Sequence, residues 1–284
     1  MLTRGDRGQV VVELQQQLIA LGYGLPRWGA DGNLGNETLD AVTHFCTDHS
    51  WGDGNLDKNV ILDGELETIK TCCAETQKLV ELPGLVFHDR RTMAARQGCL
   101  GGRRSWGQIT GITLHQTACQ FGPYAKPERW DTLHAHIGVS RNGNVFWVYD
   151  FPQIVWHGNE LNGHTVGIEM EGNYAGVAGD RSTAWQPGTG DLMVPTPELV
   201  KASQEAIRLV CQTVAQHGGK IKNLYAHRQT AASRRADPGA ELWQQVALPM
   251  LAELSLYDGG STFKIDNGRP IPEAWNSAYV GNVY

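Results

Sequence analysis

The sequence predicts an α/β domain with a mixed central β-sheet flanked by helices, preceded by a small three-helix module. The chain has 284 residues, which at roughly 150 residues per domain suggests about two domains. Apolar residues at helical spacing dominate the first 80 residues, whereas short apolar runs alternate with helical patterns from Ile109 onward. Such alternation is typical of a sheet covered by helices.

The small module is predicted from three amphipathic segments over residues 1–83. Apolar residues recur on one helical face from Val10 to Leu21, a second helix starts near Thr38, and a third starts near Asp63 and runs to about Lys78. Glycine-rich and Asp-Gly turns separate these segments. A compact helical bundle follows, too small to house much chemistry.

The larger domain is predicted over residues 107–255. Strands are expected at residues 109–114, 135–140, 145–149, 166–170 and 221–226, and helices at residues 198–217 and 240–254. Residues 84–106 are rich in arginine and glycine and are expected to form a basic, flexible linker. Residues 256–284 form an aromatic C-terminal extension whose role the sequence leaves open.

Charge and hydropathy exclude two classes of partner. The formal net charge is −6, which argues against nucleic acid, and the module alone carries six basic and 13 acidic residues. No run approaches 18 apolar residues, so membrane insertion is not expected, and the N-terminus shows no secretory signal. The six cysteines contain no C-x-x-C pair, which favours unpaired thiols over a disulfide framework or a zinc knuckle.

Three residues have the type and placement of zinc ligands. His115 closes the strand-like run GITLH, and His227 closes the run NLYAH. Asp237 follows ten residues later, before a Pro-Gly turn. A catalytic zinc site needs three such ligands and one open position. A single histidine at a strand end is more often structural, so the case depends on all three residues together.

The N-terminal segment RGDRGQVVVELQQQLIALGY, followed by DGNLGNETLDAVTHF, resembles the peptidoglycan-binding module family. The departures are Leu34, where the family usually has an aromatic residue, and Cys46, where it usually has glutamine. The resemblance implies that this module binds peptidoglycan, and the alternative is a docking or spacer role.

Five ordered segments of the larger domain resemble the type 2 family of zinc-dependent N-acetylmuramoyl-L-alanine amidases. They are GITLHQTA, HIGVSRNGNVFWVYD, VWHGN, HTVGIEMEG and YAHRQTAASRRADPG. The resemblance implies the type 2 amidase fold, a Zn2+ cofactor and a muramyl-peptide substrate. Asp237 and Ala135 stand where other members have cysteine and tyrosine, which is similar to the muropeptide-recycling style of active site.

The resemblance also implies roles for individual residues. His115, His227 and Asp237 would hold zinc, and Glu169 would act as general base. Arg235 would stabilise the oxyanion, at a position where related recycling enzymes have lysine. Strand spacing alone leaves Glu169 and Glu171 open as the base, because residues two apart share a face.

Substrate contacts are expected from the VWHGN segment, at Trp156, His157 and Asn159. For His157 the alternative is a hydrogen bond that supports a metal ligand. Residues 173–196 are glycine- and proline-rich and longer than an ordinary connection, so they are expected to form a wall or lid of the substrate groove.

The predicted function is therefore peptidoglycan hydrolysis at the amide between N-acetylmuramic acid and L-alanine. The expected setting is a phage endolysin or a delivered antibacterial effector, made in the cytoplasm and acting on the cell wall. Release would need a holin-type partner or a secretion system. The alternatives are a cytosolic muropeptide-recycling amidase and a non-catalytic recognition protein of the same fold.

Overall fold

The computed structural model describes residues 1–21, 23, 25, 27–48, 59–80, 86–91, 98–121, 127–185 and 191–284. Contacts between residues divide the chain into two compact units, Met1–Pro83 and Gly84–Tyr284.

The first unit contains three helices and a two-stranded antiparallel sheet. The helices are α1 (Gln9–Ala20), α2 (Asn36–Asp48) and α3 (Asp63–Val80), and the strands are β1 (Leu2–Thr3) and β2 (Val60–Ile61). The helices begin and end within two or three residues of the predicted positions. Leu34 and Cys46 are both buried in the core of this unit, so these departures from the family pattern alter packing rather than an exposed surface.

The second unit is built on a mixed six-stranded sheet in the order β10-β5-β9-β6-β7-β3. Strands β10, β5, β9 and β6 run parallel to one another, and β7 is antiparallel to β6. A separate antiparallel pair joins β4 and β8. The strands are β3 (Val86–Asp89), β4 (Leu100–Arg103), β5 (Gly111–Gln116), β6 (Ile137–Val139), β7 (Asn144–Trp147), β8 (Gln153–Val155), β9 (Thr165–Met170) and β10 (Asn223–Ala226).

Successive side chains of the central strands point alternately to an apolar face and to a polar face of the sheet. Ile112 and Leu114 of β5 belong to the main core, together with Val166 and Ile168 of β9. Helix α4 (Pro197–Gln216) packs on this face, as does the C-terminal helical segment. That segment comprises α5 (Ala240–Leu242), a π-helical turn (Trp243–Ala247) and α6 (Leu248–Glu253). The intervening positions of β5 and β9 point to the opposite face, where the polar residues lie.

The prediction of a flexible linker at residues 84–106 is wrong for those residues of this range that the structure describes. Strand β3 pairs in parallel with β7 and completes the large sheet, and β4 pairs with β8. Arg104 is buried, and its guanidinium donates hydrogen bonds to the carbonyls of Phe151 and Thr165. Arg104 therefore supports the fold, whereas residues 84–85 and 92–97 of the expected linker lie outside the described residues.

Residues 256–284 pack onto the second unit. Ile271 and Trp275 belong to its main core, and Tyr257 pairs with Asn223 beside β10. Trp275 also packs against Trp243 of the C-terminal helical segment. The extension is thus an integral part of this unit.

Among the described helices, none combines the length and apolar character that a membrane span requires. None of the six cysteines, all of which lie in the described ranges, forms a disulfide.

Candidate active site

The carboxyl ends of three parallel strands bring the predicted site residues together. His115 lies near the end of β5, Glu169 near the end of β9, and His227 directly follows β10. His115 and Glu169 are register partners on adjacent strands, so their side chains share one face of the sheet. Open α/β sheets commonly bind ligands at this edge.

His115, His227 and Asp237 converge on one point. Nδ1 of His115 lies 3.0 Å from Nδ1 of His227, which lies 3.0 Å from Oδ2 of Asp237. The third separation, from Nδ1 of His115 to Oδ2 of Asp237, is 3.8 Å. All three residues are buried, and they form the one metal-ligand cluster found among the described residues.

This donor set fits zinc. Ligand atoms at about 2.0–2.2 Å from a tetrahedral zinc stand roughly 3.3–3.6 Å apart, which is close to the three observed separations. Two imidazoles and one carboxylate form the type of three-ligand set that leaves a fourth position for chemistry. The site can therefore accept a zinc ion with small adjustments of the side chains.

A hydrogen-bond chain fixes the ring orientation of His115. Nε2 of His157 faces the carbonyl of Thr165 at 3.2 Å and must donate to it, because a carbonyl only accepts. Nδ1 of His157 then accepts from Nε2 of His115, 3.0 Å away. The chain leaves the Nδ1 lone pair of His115 directed at His227 and Asp237. Such outer hydrogen bonds orient metal-bound histidines.

His157 is therefore placed to orient the candidate ligand His115, which is the alternative role expected for it, while a contact with substrate stays a prediction. Both of its ring nitrogens are engaged and the side chain is buried. Gly167 on β9 makes room for this ring, because a Cβ there would lie 2.7 Å from Cγ of His157.

Asp237 is held in place by the strand that carries His115. Its Oδ1 accepts a hydrogen bond from the backbone N–H of Gln116 at 2.8 Å, which leaves Oδ2 for the cluster. The Gln116 side chain in turn accepts from the backbone N–H of Tyr174 and donates to the carbonyl of Ala236. Gln116 was missed at the sequence level, although it directly follows His115 in the GITLHQTA segment.

Electrostatics keeps the ligands in their metal-binding forms. Burial, together with the charge of His227, lowers the pKa of His115 to about 4, so this imidazole is neutral at pH 7. Burial alone would raise the pKa of Asp237, but the neighbouring imidazoles of His115 and His227 lower it below its ordinary value. Metal binding then needs no proton release from His115 or Asp237 at neutral pH.

Glu169 and Glu171 have different environments. The carboxylate of Glu171 accepts hydrogen bonds from the backbone N–H groups of Phe121 (2.6 Å) and Arg141 (3.0 Å). Glu169 accepts none from any described residue. Burial and the charge of Asp237 raise the pKa of Glu169, while Arg234 opposes this rise. A carboxyl group that lies beside the candidate metal ligands and is not engaged by other described residues has the placement that a general base needs.

The cation beside the cluster is Arg234 rather than Arg235. The positive charge of Arg234 lowers the pKa of both Glu169 and His115, and its guanidinium lies 3.9 Å from the ring centre of Trp185. Arg235 instead donates to the carbonyl of Ser182 and lies 5.8 Å from the ring centre of Tyr284. The oxyanion role expected for Arg235 therefore has less support than the same role for Arg234.

The other expected substrate contacts lie near the cluster. Trp156 is 56% exposed and directly precedes His157. Asn159 donates to the carbonyl of Thr230, which connects it to the turn that follows His227. Of the expected groove wall, the structure describes residues 173–185 and 191–196, and residues 186–190 lie outside the described residues.

Two family models match the chain, one within each of the two compact units. Residues 105–240 match the family model described as N-acetylmuramoyl-L-alanine amidase, and residues 7–61 match the model described as putative peptidoglycan binding domain. Among curated proteins, the chain is 50% identical over 42 residues to the N-acetylmuramoyl-L-alanine amidase CwlL of Bacillus licheniformis. That match spans 15% of this chain and 12% of the relative's length.

Solved structures with low sequence identity to this chain are also similar to it. The endolysin N-acetylmuramoyl-L-alanine amidase LysCS from Clostridium intestinale is 15% identical, with a TM-score of 0.40 over 62% of this chain and 99% of that chain. The Ph2119 endolysin of a Thermus scotoductus bacteriophage is 18% identical, with a TM-score of 0.38 over 60% and 99%. Drosophila PGRP-LB is 18% identical, with a TM-score of 0.39 over 55% and 89%.

Proposed function

We propose that this protein is a zinc-dependent peptidoglycan amidase. The proposal starts from the match of residues 105–240 to the N-acetylmuramoyl-L-alanine amidase family and of residues 7–61 to the putative peptidoglycan binding domain. It cleaves the amide between N-acetylmuramic acid and L-alanine. The observation that carries the proposal is the convergence of His115, His227 and Asp237 beside Glu169 at the carboxyl edge of the sheet.

The residues would divide the chemistry as follows. His115, His227 and Asp237 hold the zinc, which when bound supplies Lewis acidity for attack of water on the amide. Glu169 takes a proton from the attacking water and delivers it to the leaving amine of L-alanine. Arg234 stabilises the negative charge that develops on the carbonyl oxygen. Arginine keeps its proton, so proton delivery belongs to Glu169.

The intact ligand set favours an enzyme over a binding-only protein of the same fold, because loss of one ligand would remove the metal. The peptidoglycan-binding module favours polymeric cell wall over small muropeptides as the substrate. An endolysin or a delivered effector remains the predicted setting, with a holin-type or secretion-system partner.

Digestion of purified peptidoglycan tests the reaction. We expect new L-alanine amino termini without new reducing sugars, as identified by mass spectrometry of the products. New reducing ends would indicate glycosidase activity, and cleavage within the stem peptide would indicate a peptidase. Either product pattern would refute the proposed amidase.

A further inference from the structure

Arg228, next to the metal ligand His227, is a buried cation that the proposed chemistry does not use. Its side chain is fully buried, and no described carboxylate forms an ion pair with it. Two aromatic rings flank it instead, with the guanidinium carbon 4.8 Å from the ring centre of Trp275 and 5.1 Å from that of Tyr284. We call Arg228, Trp275 and Tyr284 the arginine box. Guanidinium groups bind aromatic faces favourably, most strongly where water is excluded.

Arg228 also closes the loop between two of the metal ligands. Its backbone N–H donates to the carbonyl of Asp237 at 3.1 Å, and its Nη1 donates to the carbonyl of Arg235 at 2.6 Å. Both bonds join the residue after His227 to the segment that ends at Asp237. A ten-residue loop with these cross-links has fewer conformations, so the two ligands are held closer to their binding geometry.

The aromatic walls of the box are fixed in turn to the loop that follows Glu169. The indole N–H of Trp275 donates to the carbonyl of Gly176, and the hydroxyl of Tyr284 donates to the carbonyl of Thr183, both at 2.6 Å. The C-terminal extension also binds the backbone of Arg228, whose carbonyl accepts from the N–H of Arg269. The box is therefore hydrogen-bonded both to the loop that follows Glu169 and to the segment that joins His227 to Asp237.

We infer that Arg228 is a positioning residue for the metal site, and that the C-terminal extension exists in part to provide its aromatic walls. The inference rests on the proposed zinc function, because it assigns the box an effect on His227 and Asp237. Outer residues that orient metal ligands typically contribute about 10- to 100-fold to metal affinity. Arg228 acts through the loop and touches neither metal nor substrate.

The test measures metal affinity in the full chain, by chelator competition for Zn2+ and by the visible spectrum of the Co2+ form. We expect Arg228→Met to weaken affinity about 10- to 100-fold and to shift the Co2+ bands. Arg228→Lys, which keeps a cation between the rings, should recover part of the affinity. The control is Leu209→Ala in α4, which removes a buried side chain and should lower the melting temperature of the metal-free protein without altering affinity.

The outcomes separate the two proposals. Zinc affinity of Arg228→Met within twofold of wild type would overturn the positioning role and leave the proposed function intact. A wild-type chain that takes up no zinc would overturn both. Should Arg228→Met fail to fold, Tyr284→Leu removes one wall of the box, and affinity unchanged in that variant would also overturn the positioning role.

Discussion

At the scale of single residues, hydrogen bonding distinguishes chemically similar neighbours. Glu171 accepts hydrogen bonds from two backbone N–H groups, whereas Glu169 accepts none from any described residue. Strand periodicity could not separate them, because residues two apart in an extended segment are expected to share a face. The convergence of His115, His227 and Asp237 was predictable from the sequence, since the strand-end positions of the two histidines and the Pro-Gly turn after Asp237 are visible there. The difference between Arg234 and Arg235 was not, because it depends on the turn geometry before Asp237.

Glu169→Gln should abolish turnover and preserve the metal. Glutamine has nearly the same shape but cannot accept a proton, so we expect the rate to fall by about 100- to 10,000-fold. The measurement is hydrolysis of a soluble muramyl peptide together with zinc content. Glu171→Gln serves as the matched control and should retain far more activity. Activity that survives in Glu169→Gln and disappears in Glu171→Gln would reverse the assignment.

The two neighbouring arginines provide a second matched pair. Arg234→Gln should lower kcat by about 100-fold, because the charge beside the metal ligands is lost. Arg235→Gln should reduce kcat less than fivefold, since its guanidinium binds Ser182 and Tyr284 instead. Steady-state kinetics on one soluble substrate compares them. The opposite ranking would place the oxyanion contact at Arg235.

At the scale of elements, segments with a clear apolar pattern were predictable, whereas strands β3, β4 and β8 were not. Helix α4 and strands β5 and β9 appear within about two residues of their expected bounds, because burial on an apolar face imposes a clear period. Strand β3 was mistaken for linker because its four residues, Val86–Asp89, lie in an arginine-rich region and show little apolar pattern. Its place in the sheet depends on pairing with β7, which is distant in sequence.

Gly167 on β9 links strand packing to the metal site. Gly167→Ala should displace the His157 ring and weaken its bond to His115, since the added Cβ would lie 2.7 Å from Cγ of His157. We expect zinc affinity to fall about tenfold and stability by about 1–3 kcal/mol. Chelator competition and thermal unfolding measure the two effects. Gly163→Ala is the control, because nothing lies within 4 Å of its added Cβ. Equal affinities of the two variants would show that the His157 contact does not support the metal.

At the scale of the whole molecule, each of the two units has an exposed tryptophan, Trp28 in the first unit and Trp156 in the second. In the first unit, Trp28 is 62% exposed, and its turn is held by the Glu37 carboxylate, which accepts from the backbone N–H groups of Arg27 and Trp28. The sequence pattern predicted the module but gave no reason to select Trp28. Its exposure and the hydrogen bonds that hold its turn make it, among the described residues of this unit, a good candidate for contact with peptidoglycan.

Trp28→Ala should weaken binding to insoluble peptidoglycan about fivefold and leave hydrolysis of a soluble muramyl peptide unchanged. A sedimentation assay with purified cell wall measures the binding. Leu62→Ala removes another exposed apolar side chain of the same unit and should have little effect. Equal losses in the two variants would exclude a specific contact at Trp28.

In the proposed reaction, a zinc ion held by His115, His227 and Asp237 is required for amide hydrolysis. The most direct measurement is the rate of L-alanine amide cleavage in a soluble muramyl peptide after the metal is removed by chelation and then restored. We expect the rate to fall by about 100-fold or more and to return with one equivalent of zinc, but not in His227→Ala. Full activity of the metal-free protein, or of His227→Ala, would contradict the account.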